Sequence, residues 1–403
     1  MARTSDSDQA RARRAGHRAF VVVLDACGVG ALADAADYGD EGTNTLGHLA
    51  QRLGGLRVPA LASLGLGSII GLEGVAPADD PALHGRLHAI GAGKDSTAGH
   101  WGLMGVAMPA RMPTYPGGFP DQVVDLVRAA SGRGVLCNRP SNGLEAVEKF
   151  GSEHVRSGDL IVYTSQDSVL QIAAHIDVVA TAELYQICAR VRATLPPEHA
   201  VGRVIARPFT GPDGAFVRTD GRRDFALPPP TRSYLEVLQA AGVEVHSVGK
   251  VGQLFAGVGI DVQHPGATNA AALDETTELI AALPSGFVFT NLIETDQVYG
   301  HRHDFEGFAG ALERIDRYVE RWLSVLGSGD LLVLTADHGC DLASPRTDHT
   351  REYVPLLAAF PGDRGRRHDG PLADVGASVV RWLAGDDEAA DADAGELPGR
   401  PFI

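Results

Sequence analysis

The sequence predicts a doubly wound α/β core with a second α/β domain, a cap, inserted into it. Three observations carry that expectation. Short, continuous apolar runs alternate with amphipathic helical patterns along most of the chain, the order of elements that builds a sheet covered on both faces. Two proline-rich stretches, MPARMPTYPGGFP at 108–120 and FALPPPTRS at 225–233, read as crossings between domains. At 403 residues the chain is also long for one small core. The expected boundaries are a disordered extension at 1–18, a discontinuous core at 19–107 and 229–403, and the inserted cap at 108–228.

The first strand is AFVVVLD, a β-branched run that ends at Asp25 and meets the glycine-containing turn ACGVG. DLIVYT (159–164), VEVHSV (243–248), FVFTNL (287–292), DLLVLTA (330–336) and VPLLAAF (354–360) have the same buried character. The clearest helix is FAGALERIDRYVERWLSVLG, where Phe308, Ala311, Leu312, Ile315, Val319, Trp322 and Leu326 recur at helical spacing and Gly327 suits a C-cap. TAELYQICARVRATL, YLEVLQAAG and TNAAALDETTELIAAL are further helical stretches.

Composition narrows the function. A hydrophobic content of 44% with 21% charged residues is that of a soluble globular protein. A net charge of −16 argues against broad nucleic-acid binding, because phosphate backbones select basic surfaces. Part of that acidity lies in GDDEAADADAGE, which reads as a solvated segment. Cys27, Cys137, Cys188 and Cys340 form no CxxC pair, which suits a reducing, cytoplasmic setting rather than a disulfide framework. No run approaches the roughly 20 apolar residues of a membrane span. The first residues, MARTSDSDQARARRAGHR, lack the apolar stretch of a secretory signal.

The chemistry gathers at strand ends. Ligands of open α/β sheets lie beyond the carboxyl ends of the strands, and those ends carry Asp25, then Asp296 and His301, then Asp337 and His338, with His349 following in RTDHTRE. Singly, each reads as a cap or turn residue: a strand-end Asp ends a strand, GHRHD is a basic turn, His349 caps a helix. Jointly they are three carboxylates and three imidazoles on one sheet edge, a donor set for Mn²⁺, Zn²⁺ or Mg²⁺ and enough for two bridged cations. GKDSTAGHW (93–101) adds a hydroxyl at a helix start. Beside cations such a hydroxyl is a nucleophile toward phosphate, and the helix N-terminus would supply amides to the transferred group; away from them it is an ordinary N-cap.

The segments LDACGVGALADAADYGDEGTNTLGHLA, GKDSTAGHW, IVYTSQDSVLQIAAH, VGRVIARPF, GHRHD and TADHGCDLASPRTDHTREYVPLL resemble those of the bacterial phosphopentomutases, over about residues 19–384. TADHG alone is shared across the alkaline phosphatase superfamily, whereas IVYTSQDSVLQIAAH and VGRVIARPF are far more specific. The resemblance implies an alkaline-phosphatase-like core with an inserted cap. It implies interconversion of ribose or 2-deoxyribose 1-phosphate with the 5-phosphate, as in nucleoside salvage. It also implies two metal ions, usually manganese, on Asp25, Asp296, His301, Asp337, His338 and His349, with Ser96 at the phosphorylated position and also beside the metals. A sugar bisphosphate such as glucose 1,6-bisphosphate is the implied activator. Asp167, Val169, Arg203 and Ile205 match positions near the sugar phosphate, and Lys250 is a further phosphate contact.

Four departures from the family pattern stand out: Ser96 replaces the usual threonine, Gly102 a usual glutamate, and Cys27 and Cys340 small polar residues near ligands. They bear on substrate preference and metal choice more than on reaction class. Other readings are a phosphatase or phosphodiesterase of the same superfamily, a mutase for another sugar phosphate, and a silent sugar-phosphate-binding protein. The last gives Ser96 no task, and the hydrolases give the cap motifs none. The expected partners are small pentose phosphates, with neither nucleic acid nor membrane.

Overall fold

The computed structural model describes residues 16–165, 168–385, 394–395 and 397–403. The chain forms two compact units, one running to Ala110 and resuming at Pro229, the other Arg111–Pro228. The two changes of unit fall within the proline-rich stretches 108–120 and 225–233. Fourteen strands are present among the described residues. They are β1 (Arg18–Leu24), β2 (Leu83–His88), β3 (Val135–Pro140), β4 (Leu160–Thr164), β5 (Val169–His175), β6 (Arg203–Thr210) and β7 (Val217–Arg218). The rest are β8 (Arg223–Ala226), β9 (Val245–Val248), β10 (Val262–His264), β11 (Gly286–Leu292), β12 (Asp330–Thr335), β13 (Val354–Ala359) and β14 (Gly370–Pro371).

In the larger unit eight strands run in the order β10-β9-β11-β1-β12-β13-β2-β14. The block from β10 to β12 is parallel. Every residue of β11 and β12 is buried, so both faces of the sheet are covered. This is the doubly wound α/β arrangement. The strand VPLLAAF is antiparallel to both of its neighbours. That direction matters, because a hairpin return from β12 to β13 keeps the whole connection 336–353 at the carboxyl end of the parallel block.

The helix Phe305–Val325 buries Phe308, Ala311, Leu312, Ile315, Val319 and Trp322, the stripe its periodicity predicts. Its end differs from expectation. Leu326 caps it in extended conformation, and Gly327 instead donates its amide to Asp330 Oδ2 at 2.7 Å. A carboxylate that accepts the loop amide ends the helix without a left-handed glycine. At the other edge of the expected extension 1–18, Arg18 already belongs to β1 and pairs with Asp330 at 2.7 Å.

The smaller unit has a sheet ordered β3-β4-β5-β6-β7, with β8 beside β6. Alternation divides its core between the two faces. Leu160, Val162, Leu170, Ile172 and Val204 pack with Val123, Val127, Leu184, Ile187 and Val191. Ile161, Tyr163, Ala173 and Phe209 pack on the opposite side with Ala146 and Val147.

Candidate metal centre

β1 lies inside the parallel block, between β11 and β12. Its carboxyl end delivers Asp25, which is fully buried. Asn291, near the end of β11, donates to Asp25 Oδ2 at 2.9 Å. Just beyond β11 the chain makes a wide helical turn, Thr295–Tyr299, and a tight one, Gly300–Arg302, which carry Asp296 and His301. β12 ends just before Asp337 and His338, and the return toward β13 adds His349.

These side chains converge. His338 Nε2 lies 3.4 Å from Asp25 Oδ1 and 3.4 Å from Asp337 Oδ2. Asp296 Oδ1 lies 3.4 Å from His301 Nε2 and 3.4 Å from His349 Nε2. Asp25, Asp337 and His338 form one cluster of possible donor atoms, and Asp296 anchors two others, with His338 and His349 and with His301 and Cys340. All six ligands expected from the strand ends are therefore brought together.

Ser96 joins them. It opens the helix Ser96–Leu103, is nearly buried, and places Oγ 3.3 Å from His338 Nε2. One expectation about this helix needs correction. Asp95 is its N-cap, and Oδ1 accepts the amides of Thr97 and Ala98 at 2.9 and 3.1 Å. Those two amides are taken by the Asp95 cap. Ser96 is not the cap.

The loop leading to Ser96 is clamped. Arg351 donates to the carbonyls of Gly91 and Gly93 at 2.8 Å each and pairs with Asp34. Lys94 bridges Asp40 and Asp348 at 3.0 Å each. A buried carboxylate, Glu352, holds the loops behind the ligands by accepting from Gly30 N, Thr45 N and the hydroxyls of Thr45 and Thr350. Gly28 and Gly339 pack so closely on Glu352 that a Cβ at either would lie within 2.5 Å of its carboxylate oxygens.

Electrostatics make the cluster hungry for positive charge. Burial, with Asp337 and Asp296 nearby, raises the Asp25 carboxyl well above its usual range. Burial also works on Asp296, but His349 and His301 outweigh it and hold that carboxyl well below the usual range. Asp337 is held down at about 2 because His338 and His100 outweigh its burial. His301 is pushed up to about 11, first by its hydrogen bond to Asp296 and then by that to Cys340. Lys250, at the start of a short helix after β9, is close enough to favour the ionised form of Asp25.

The substrate-contact positions divide. Lys250 belongs to the larger unit with the metal cluster, whereas Val169, Arg203 and Ile205 belong to the smaller unit. There Val169 pairs with Arg203 across β5 and β6, and Ile205 follows on the same face of β6. Arg203 lies 3.5 Å from Asp224, which Arg222 grips more closely at 2.8 Å. Asp167 lies outside the described residues. Among the departures, Cys27 lines an apolar cavity with Leu46, Leu61 and Leu334, whereas Cys340 reaches the Asp296 and His301 cluster. Gly102 packs on Leu372 and Ile90, an apolar setting for the position.

A model of the Metalloenzyme superfamily matches residues 17–386. The phosphopentomutase of Caldanaerobacter subterraneus subsp. tengcongensis is 46% identical over 368 residues, 90% of this chain and 93% of that protein. That of Anaeromyxobacter dehalogenans is 46% identical over 372 residues, 91% of this chain and 95% of the relative. The chain belongs to the phosphopentomutase family. A phosphoglycerate mutase structure from Leishmania mexicana covers 91% of this chain and 95% of its own, at 15% identity and a TM-score of 0.48.

The residues of this phosphopentomutase-family chain fit the metals its superfamily name implies. Asp25 Oδ1, Asp296 Oδ1, Asp337 Oδ2 and His349 Nε2 are all buried, and the ion-pair contacts they make among the described residues are imidazole–carboxylate approaches of 3.1–3.4 Å. Such atoms are costly unless something positive joins them. Two ligand atoms about 2.1 Å from one cation at a tetrahedral angle lie roughly 3.4 Å apart, the separation seen here. The tautomers agree as well. His338 Nδ1 and His301 Nδ1 face the carbonyls of Gly339 and Thr347, so each ring carries a proton on Nδ1 and leaves Nε2 as the nitrogen that faces the carboxylates and would face a cation.

Sequence reasoning named the six Asp and His residues of this cluster and Ser96. It missed Asn291, His100, Glu352 and Arg351. Asn291 carried a signal, a lone polar side chain near the end of an otherwise apolar strand, whereas His100, Glu352 and Arg351 show their roles only once the fold buries them.

Proposed function

We propose that this chain is a cytoplasmic phosphopentomutase that moves a phosphoryl group between the 1- and 5-oxygens of ribose or 2-deoxyribose, using Ser96 as carrier. The observation that carries the reading is a single hydroxyl, Ser96 Oγ, set 3.3 Å from His338 in the cluster that holds the buried carboxylates of Asp25, Asp296 and Asp337. A metal-binding protein without phosphoryl chemistry gives that hydroxyl nothing to do.

In this reading the residues divide their tasks. Asp25, Asp337 and His338, with Ser96, would hold one divalent cation, and Asp296, His301 and His349 a second, with manganese the expected ion. When bound, such cations lower the hydroxyl's pKa and offset the charge of phosphate. Ser96, once phosphorylated, passes its phosphoryl group to the free hydroxyl of the sugar phosphate. The sugar bisphosphate so formed returns its other phosphoryl group to Ser96, leaving the isomeric monophosphate. A bisphosphate such as glucose 1,6-bisphosphate would prime the serine. Val169, Arg203 and Ile205 of the smaller unit, the cap in this reading, Asp167 in its SQDSV motif, and Lys250 would grip the sugar phosphate. Arginine suits that role because its planar fork binds phosphate bidentately.

The test is a coupled assay with ribose 1-phosphate and 2-deoxyribose 1-phosphate, with Mn²⁺ supplied and then chelated. Conversion to the 5-phosphates that stops on chelation supports the proposal. Accumulation of free phosphate instead would identify a hydrolase.

A further inference from the structure

His100 lies one helical turn beyond Ser96 and is completely buried. Its Nδ1 is 2.8 Å from the Ser96 carbonyl oxygen and 3.1 Å from Asp337 Oδ2. A carbonyl only accepts, so Nδ1 carries the proton, and that one N–H stands between the backbone of Ser96 and the carboxylate of Asp337. The other nitrogen, Nε2, is buried with no hydrogen-bond partner among the described residues, and the ring packs 5.6 Å from that of Phe289.

An imidazole is a poor choice if packing were the only need at this place. Leucine or phenylalanine would fill the volume without burying an unsatisfied nitrogen, which costs stability. What histidine offers here, and those residues do not, is the Nδ1–H. The surrounding backbone is tight enough for that contact to govern spacing: a Cβ on the adjacent Gly99 would lie 2.3 Å from the Asp337 carbonyl oxygen.

We propose that His100 is a positioning residue of the metal centre, whose Nδ1–H ties the Ser96 turn to Asp337 and so fixes the hydroxyl and the carboxylate at the spacing one divalent cation needs. The inference rests on the reading that Ser96 and Asp337 serve the same cation. Outer partners of this kind, acting through ligands rather than on substrate, tune affinity for the metal.

The side-chain amide of asparagine places an N–H about where imidazole carries Nδ1–H, whereas that of glutamine reaches the place of Nε2. His100→Asn, His100→Gln and His100→Leu in the full chain, stripped with chelator and titrated calorimetrically with Mn²⁺, therefore separate the roles. His100→Asn should hold Mn²⁺ within a few-fold of the parent, while the other two weaken it about 10–100-fold. Pentose phosphate turnover should fall in the same order with KM unchanged. Parent-like Mn²⁺ affinity in His100→Leu, or equal losses in all three variants, overturns the assignment, as does collapse of the fold in all three. The metal titration is decisive even if the parent converts no pentose phosphate, so failure of the functional reading shows separately, in the parent's assay.

Discussion

Ser96 and Thr97 are neighbouring hydroxyls at one helix start, and consecutive residues there point about 100° apart around the axis. Ser96 Oγ faces His338, while Thr97 contributes its amide to the Asp95 cap. Ser96→Ala should abolish turnover, Thr97→Ala should keep most of it, and peptide mass spectrometry after incubation with a sugar bisphosphate should find phosphate on Ser96. A second prediction concerns protons. His301, raised from 6.5 to about 11, is protonated near neutral pH in the metal-free chain. Its stabilising contribution is complete below about 6.5 and disappears as pH rises through about 11. A cation at Nε2 must displace that proton, so Mn²⁺ binding should release at least about one proton at neutral pH and tighten as pH rises. Calorimetry in two buffers of different ionisation enthalpy measures this, and zero release would contradict it. The clustered Asp and His residues were legible in the sequence because strand-end side chains keep their position whatever packs around them. His100 was not, because its meaning depends on Asp337, 237 positions away along the chain.

At the scale of elements, the helix Ser96–Leu103 and the end of β12 meet at Gly99, with no room for a Cβ against the Asp337 backbone. Gly99→Ala should push the two apart, costing about 1–3 kcal/mol in stability by overpacking and weakening Mn²⁺ affinity, both measurable by denaturation and titration. Glu352 offers a contrast, since it accepts hydrogen bonds from Gly30, Thr45 and Thr350 and so fixes the loops behind the cluster. Glu352→Ala leaves buried donors without an acceptor, so a loss of about 3 kcal/mol is expected in urea unfolding. Strands and long helices were readable from the sequence because apolar periodicity reports burial locally. The direction of VPLLAAF was not, since a buried run looks the same read either way. Nor was the end of the helix Phe305–Val325, where Asp330 outweighs the glycine signal.

At the scale of the molecule, the smaller unit builds apolar clusters on both faces of its own sheet. Residues 111–228 expressed alone should therefore melt cooperatively, as an independent domain does; a non-cooperative, gradual transition would show that this core needs the rest of the chain. Arg203→Ala should raise KM for pentose phosphate at least roughly tenfold, the size of one lost charge-assisted contact, while leaving Mn²⁺ affinity unchanged. A loss of metal with Arg203 would count against its assignment to substrate.

The ligand set runs from Asp25 to His349, with the whole of the smaller unit encoded between Asp25 and Asp296. During synthesis the first ligand thus waits while more than 300 residues are added, about 15–60 s at ordinary elongation rates. No partial chain that ends before His349 carries the full donor set, whereas the smaller unit is complete well before Asp296 emerges. A cation held by the full donor set would therefore mark a chain translated past His349, and the order of residues along the message delays loading of the centre until then.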